Sequence, residues 1–251
     1  MDHFLLLQVR DADDPMRRQE VNCFARALNV DAGKIEVHDL LSGPPSVEEL
    51  DRVDVVLLGG SGDYSVAQGG PWLEPALDAM KELVELNKPT FASCWGFQAM
   101  AKALGGEVVT DLQRAELGAV AVRLTDRGKL DPLFAPLGET FLAPMGHQDC
   151  VTRLPDGVTL LASSEKVRNQ AFRVDGKPIY CTQFHPELNR RELIQRVKAY
   201  PRYVEKISGK SIQDFCRDCV ETDATNQLLG RFAQMIQSGD IHTDADSTIE
   251  G

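Results

Sequence analysis

The segment "PTFASCWGFQAMAKALGG", Pro89 to Gly106, sets one cysteine between a short apolar run and a pattern of helical period. Outward from Cys94, "KPTFASC" reads as a short strand. The residues from Trp95 read as a helix that stops at Gly105 and Gly106, where a left-handed turn suits glycine. A strand that runs straight into a helix needs a sharp turn, because the two backbones nearly touch. Ala92 and Gly96, two residues to either side of Cys94, are small enough for that approach. The turn lifts its central side chain toward solvent at the carboxyl end of a sheet. It also sets it beside a helix N-terminus, whose partial positive charge favours thiolate over thiol. The plainer alternative is a buried core cysteine, a common place for this residue.

Further out, strands and helices alternate. "FLLLQV" (4–9) reads as a buried strand and Met16 to Leu28 as a helix, with apolar positions at Val21, Phe24, Ala25 and Leu28. "KIEVHDL" is the next strand, and "VDVVLLGG" (53–60) is a β-branched run that ends in two glycines before the turn-rich loop "SGDYSVAQGG". Trp72, Leu73, Ala76, Leu77, Met80, Leu83 and Val84 then recur at helical spacing. This alternation predicts an α/β fold: an open, mostly parallel sheet with helices on both faces. Residues 107–185 change texture to shorter strands with turns, among them "GAVAVRL", "ETFLAPM", "VTLLASS", "QAFRVDG" and "KPIYCTQFH", which predicts an additional antiparallel region. Helices return only after Glu187. With no repeat and no low-complexity linker, residues 1–188 are expected to form one domain. Residues 189–237 are expected as a helical extension packed on it, and 238–251 as a flexible polar tail.

The chain has 251 residues, 43% of them hydrophobic, which is ample for a packed core. A formal charge of −11, with no basic stripe interleaved with aromatics, argues against nucleic acid as a partner. The start "MDHFLLLQVRDADD" lacks the charged opening and longer apolar core of a signal peptide, and no run is long enough to span a bilayer. A cytoplasmic, reducing location is expected, with no membrane partner. There the six cysteines, at 23, 94, 150, 181, 216 and 219, are expected as free thiols. "CRDC" at 216–219 invites a metal or redox reading, but Ile212, Phe215, Cys216, Cys219 and Val220 form a helical stripe, and no further ligands stand at zinc spacing. Core packing is expected there, and no metal.

A cysteine nucleophile needs a base. Of the five histidines, His185 ends an apolar strand in "TQFHPEL". On an extended chain residues i and i+2 share a face, so Glu187 is expected beside His185, orienting its ring. Taken singly, His185 also reads as a surface histidine at a strand end and Glu187 as a solvated charge. An attacking thiolate further requires donors for the oxyanion. Gly59 and Gly60 follow a predicted parallel strand, where ligands gather in open α/β sheets, and the Trp95 N–H follows the nucleophile. A tight turn is sufficient reason for two glycines by themselves.

These pieces together resemble the class I, triad-type glutamine amidotransferases, especially stand-alone domains akin to the glutaminase part of GMP synthase. The resemblance covers nearly all of residues 4–188. It rests on "LLGGSGDYS" as oxyanion loop, "SCWGFQAMAKALGGEV" as nucleophile turn, "LTDRGKLDPLF" and "APMGHQDCVTRLPDG" in the middle, and "NQAFRVDGKPIYCTQFHPE" as the strand bearing the other triad members. It implies a flavodoxin-like fold and hydrolysis of the glutamine side-chain amide through a Cys94 γ-glutamyl thioester. His185 would serve as acid and then base, held by Glu187, with Gly60 and Trp95 as oxyanion donors. Gly59, Gln98 and His147 would lie against substrate, and no cofactor is implied. The chain departs from the family at Ala92, usually glycine, and at Phe97, usually histidine; the chemistry is expected to survive, whereas substrate preference is left open. No nucleotide loop of a synthetase is present, so ammonia would pass to a synthetase on another polypeptide. The alternative is a self-sufficient hydrolase of γ-glutamyl peptides or amides with the same triad, and a catalytically silent binding module is a third.

Overall fold

The apolar run near the N-terminus forms β1 (Phe4–Gln8), and its alternate residues divide between two cores. The computed structural model describes residues 3–240. Helix α1 (Met16–Leu28) follows and ends at Asn29, whose left-handed φ of 57° closes the helix. Then come β2 (Ile35–Asp39), the short α2 (Val47–Asp51) and β3 (Val55–Leu58). Next are α3 (Leu73–Glu85), β4 (Thr90–Ser93) and α4 (Trp95–Ala103). Leu5, Leu7, Val56, Leu58 and Ala92 pack with α3 and α4, whereas Phe4, Leu6, Val55, Leu57 and Phe91 pack with α1. Each strand is therefore apolar at successive positions, as burial on both faces requires.

The middle of the chain supplies β5 (Glu107–Thr110), β6 (Glu116–Leu124), the short α5 (Asp126–Leu130), β7 (Thr140–His147), β8 (Asp149–Arg153), β9 (Val158–Ser164), β10 (Ala171–Val174) and β11 (Ile179–Thr182). Among the described residues nine strands form one mixed sheet in the order β2-β1-β3-β4-β11-β10-β9-β6-β7, and β5 pairs with β8 in a second sheet. Strands β2 through β11 in that order run parallel, and the pairs from β11 to β7 are antiparallel. The expected open sheet covered on both faces is present, and its antiparallel part continues the same sheet.

Five helices complete the described chain: α6 (Arg190–Ala199), α7 (Pro201–Ser208), α8 (Ile212–Asp218), α9 (Asp223–Asn226) and α10 (Leu228–Ser238). Leu228, Leu229 and Phe232 of α10 join α1 in the core. Cys23 of α1 meets Leu188, Leu193, Val197, Val204, Phe215 and Cys219 in a separate small cluster. The stripe expected around "CRDC" is only partly buried: α8 stops at Asp218, which turns Val220 out to solvent at 48% exposure. Residues 241–251 of the expected tail lie outside the described residues, and α10 reaches Ser238, the first of that span. Among the described residues no helix is long and apolar enough to cross a membrane.

The small residues flanking Cys94 are required by contact. A β-carbon on Gly96 would stand 2.5 Å from Leu58 Cβ and 3.1 Å from Ala92 Cβ, so β3, β4 and α4 leave it no room. Gly96→Ala is expected to cost about 1–3 kcal/mol of stability through overpacking, read as a fall in Tm; an unchanged Tm would show that the three elements can separate at no cost.

Candidate active site

Cys94 forms the whole junction between β4 and α4. Its φ of 50° and ψ of −101° lie outside the regions that residues with a β-carbon favour. Three hydrogen bonds hold the turn: Cys94 N–H donates to Thr182 O (2.7 Å), Gly96 N–H to Gly59 O (3.2 Å) and Gln98 N–H to Cys94 O (3.1 Å). The Trp95 amide between them belongs to the first helical turn, whose donors have no acceptor within the helix. The thiol stands 3.9 Å from Gly146 O on β7.

His185 arrives from the neighbouring strand. It lies three residues beyond β11, in a turn closed by Leu188 N–H donating to His185 O (3.0 Å), and its own N–H donates to Pro144 O (2.9 Å). Glu187 is therefore brought to the ring by a turn and not by the two-residue period of an extended strand. The imidazole Nδ1 stands 2.6 Å from Glu187 Oε1, and Ser93 Oγ donates to the other carboxylate oxygen at 3.1 Å. With Nδ1 occupied, Nε2 faces Gly146, where a β-carbon would be 4.0 Å away. Both Cys94 Sγ and His185 Nε2 thus meet at Gly146.

Charge in this group follows from its neighbours. Burial disfavours the His185 imidazolium, but the charge of Cys94, the Glu187 carboxylate and the hydrogen bonds to both outweigh it and raise the pKa to about 9. Burial likewise opposes the Glu187 charge, yet His185 and Arg196 hold its pKa below the usual carboxylate value. Tyr203, largely withdrawn from water and facing the charge of Cys94, is pushed up to about 12.

The remaining expected residues divide. Gly60, Trp95, Gln98 and His147 line a cavity of about 480 Å³ together with Cys94 and His185. The Gly60 N–H, expected to face an oxyanion, instead donates to Glu20 Oε1 at 3.1 Å, so the loop as it stands does not offer that donor. Gly59 does not line the cavity: a β-carbon there would run into the Glu20 carboxylate and approach the Phe24 ring, so its smallness serves packing against α1. Gln98 Nε2 donates to Asp149 O (3.0 Å) and Gln183 Oε1 (3.1 Å), and His147 is held between Asp149 O (3.0 Å) and Glu116 Oε2 (3.1 Å). Phe97 is fully buried, 5.2 Å from the Phe172 ring, and is absent from the cavity wall; its difference from the family falls on the core.

Several residues at the site had no signal in the sequence. Glu20 is fully buried and accepts from Arg10 Nε (3.2 Å), Arg10 Nη2 (3.3 Å) and Gln8 Nε2 (3.0 Å) as well as from Gly60. Arg196 of α6 has Nη1 3.4 Å from His185 Nδ1 and 3.7 Å from Glu187 Oε1. Helices α6 and α7 line the cavity with Leu193, Arg196, Val197, Tyr203 and Lys206, and Tyr200 at their junction joins them. Tyr200 latches that wall, because its hydroxyl accepts from Arg10 Nη1 (3.1 Å) and donates to Asp14 (2.8 Å).

The sequence pattern described as "Glutamine amidotransferase class-I" matches residues 25–197. The chain belongs to the class I glutamine amidotransferase family, as the turn at Cys94 and the sheet order suggest. It is 38% identical over 147 residues to a glutamine-hydrolyzing GMP synthase subunit from Sulfolobus acidocaldarius, covering 59% of this chain and 74% of that one. Of several longer GMP synthases that it matches, it spans about a quarter of the length. Gamma-glutamyl peptidase 3 of Arabidopsis thaliana is 24% identical over 212 residues, 83% of this chain and 84% of that one. Among solved structures, a glutamine amidotransferase from Thermotoga maritima superposes with a TM-score of 0.71 at 20% identity, over 96% of this chain and 99% of that one, so the fold is shared to the C-terminal helices.

The His185 environment sets a pH dependence. A histidine in an unfolded chain titrates near 6.5 and this one at about 9, so its contribution to stability is complete below about pH 6.5 and is lost as pH rises through 9. The difference in Tm between the native chain and His185→Gln, measured from pH 6 to 10, is expected to narrow over that window. A constant difference would contradict this environment.

Proposed function

We propose that the chain hydrolyses the side-chain amide of glutamine or a γ-glutamyl compound through a thioester on Cys94. The supporting observation is the convergence of Cys94 Sγ and His185 Nε2 at Gly146, with Glu187 behind the ring. Cys94 sulfur attacks the amide carbon, and the charge that develops on oxygen is met by backbone donors, of which the Trp95 N–H stands next to the nucleophile. The proton that leaves sulfur resides on His185 and passes to the departing nitrogen, releasing ammonia or an amine. Water then attacks the thioester with His185 as base, and glutamate leaves with sulfur restored. Glu187 fixes the ring so that Nε2 faces the sulfur, in the role of the acidic member of such triads. Gln98 and His147, both tied to the Asp149 carbonyl, are read as the wall that shapes the amino-acid end of the substrate.

Delivery of ammonia to a separate acceptor protein is supported by the relative whose name makes it one subunit of a glutamine-hydrolysing synthase. The self-sufficient γ-glutamyl hydrolase is favoured by a different observation. The cavity of about 480 Å³ that Cys94 lines is also lined by Tyr200, Tyr203 and Lys206, a volume that accommodates a leaving group larger than ammonia.

A glutamine-mimicking electrophile is expected to label Cys94 alone, because Cys94 lines the cavity beside His185, whereas Cys23 and Cys181 are fully buried with thiols raised by burial and Cys216, though more exposed, lies outside that cavity. His185→Ala should lower turnover by about 10²–10⁴-fold, and Glu187→Gln by less. Label found chiefly on Cys216, or near-normal turnover by His185→Ala, would overturn the mechanism.

The purified chain should also be assayed against glutamine and a panel of γ-glutamyl dipeptides and amides. Slow ammonia release from glutamine, accelerated at least about tenfold by an acceptor synthetase, or roughly 1.4 kcal/mol of barrier, is the outcome expected of an ammonia donor. Fast turnover of one γ-glutamyl compound without any partner would assign the chain to self-sufficient hydrolysis.

A further inference from the structure

We infer that Arg196 is a positioning residue of the Cys94, His185 and Glu187 group: carried by α6, its guanidinium shares the Glu187 carboxylate with the histidine and so divides that negative charge. The inference rests on the function proposed above. Arg196 does not touch the reacting atoms; it acts through Glu187.

Its placement follows from the start of α6. Asn189 and Glu192 cap that helix reciprocally, Asn189 Oδ1 accepting from Glu192 N–H and Glu192 Oε2 from Asn189 N–H, both at 2.9 Å. Arg26 of α1 pins the same cap, donating to Glu192 Oε2 at 2.7 Å and to Glu187 O at 2.7 Å. One turn on, Arg196 points back into the site at 9% exposure. Its Nε donates to Gln19 Oε1 (3.2 Å), and Nη1 lies 3.7 Å from Glu187 Oε1 and 3.4 Å from His185 Nδ1. Nη2 is buried without a hydrogen-bond acceptor among the described residues, 4.0 Å from Glu20 Oε1. The guanidinium therefore stands between two buried carboxylates, the Glu187 that holds the histidine and the Glu20 that holds the Gly60 amide.

The charged and titratable groups around His185 come from every wall. Cys94 approaches from the start of α4, Glu187 from its own turn, Arg196 from α6, Glu20 from α1 and Arg10 from beyond β1. Tyr203 of α7 faces Cys94, and the His147–Glu116 pair stands beyond Gly146. Cys94 and Glu187 both favour the imidazolium, whereas Arg196, a cation against the ring, opposes it. Without that opposition the imidazole keeps its proton to higher pH and is a poorer acid toward the departing nitrogen. A purely structural arginine would affect stability and leave this titration where it is.

The test is NMR titration of the His185 ring in the whole chain, assigned by comparison with His185→Gln, so that it stands whether or not Cys94 proves to be the nucleophile. Arg196→Gln is expected to move the His185 titration upward by about one pH unit and to extend the alkaline limb of the pH–activity profile equally. Arg196→Lys, whose single ammonium cannot span both carboxylates, is expected to move it in the same direction by less, and carries the test if the glutamine variant does not fold. A titration that stays within about 0.2 pH unit of the native value in either folded variant, or that moves downward, would overturn the inference.

Discussion

The backbone of Cys94 is held where a residue with a β-carbon resists going, at a cost of about 1–3 kcal/mol, and the arrangement around it exists to keep it there. Its amide is bound by β11 and its carbonyl by its own helix, while Gly96 presses α4 onto Leu58 and Ala92. A gentler turn would send the side chain into the sheet like Ala92; the turn does not expose the thiol as expected, since Cys94 is buried at 8% exposure, but it sets it on the cavity wall. The strain is thus what separates Cys94 from Cys181, which lies opposite Ala92 on the adjacent strand and is fully buried.

Around that turn the site is a chain of alternating charges: Arg10, Glu20, Arg196, Glu187, His185. All five are buried, and each has an opposite neighbour, which is the condition for tolerating charge away from water. Glu20 links the two sides of the cavity, because the same carboxylate that faces Arg196 also occupies the Gly60 N–H. Movement of the loop that follows β3 would cost Glu20 one of its four hydrogen bonds and leave it those from Arg10 and Gln8. The Tyr200 latch ties the α6–α7 wall to Arg10, at the head of this chain.

The local features are legible because they are written in neighbouring residues. The strand-turn-helix at Cys94, the helix from Met16 to Leu28 and the apolar runs of the parallel strands all follow from short-range pattern. The pairing of His185 with Glu187 is legible for an insufficient reason: spacing suggests a strand, and the chain uses a turn. Strands β5 and β8 and the helix α5 are too short and too mixed in composition to announce themselves. Glu20 and Arg196 carry no signal in the sequence, since nothing near either shows that the fold brings the two together and buries them. The C-terminal segment is legible as helical; that α10 joins the core with α1 and that residues of α6 and α7 line the cavity depends on tertiary contacts alone.

The order of the strands also governs when the parts of this site first meet during synthesis. Among the described residues β11 is the last strand made, yet it fills the middle of the sheet between β4 and β10. Until it leaves the ribosome, β4 offers a bare edge of unpaired backbone groups, and the Cys94 amide lacks its acceptor at Thr182. Histidine, carboxylate and guanidinium follow within fifteen residues of that strand. The nascent chain thus brings Cys94, His185, Glu187 and Arg196 together only when the sheet is nearly all made, through a non-local step of the kind that folds slowly and rewards protection by chaperones.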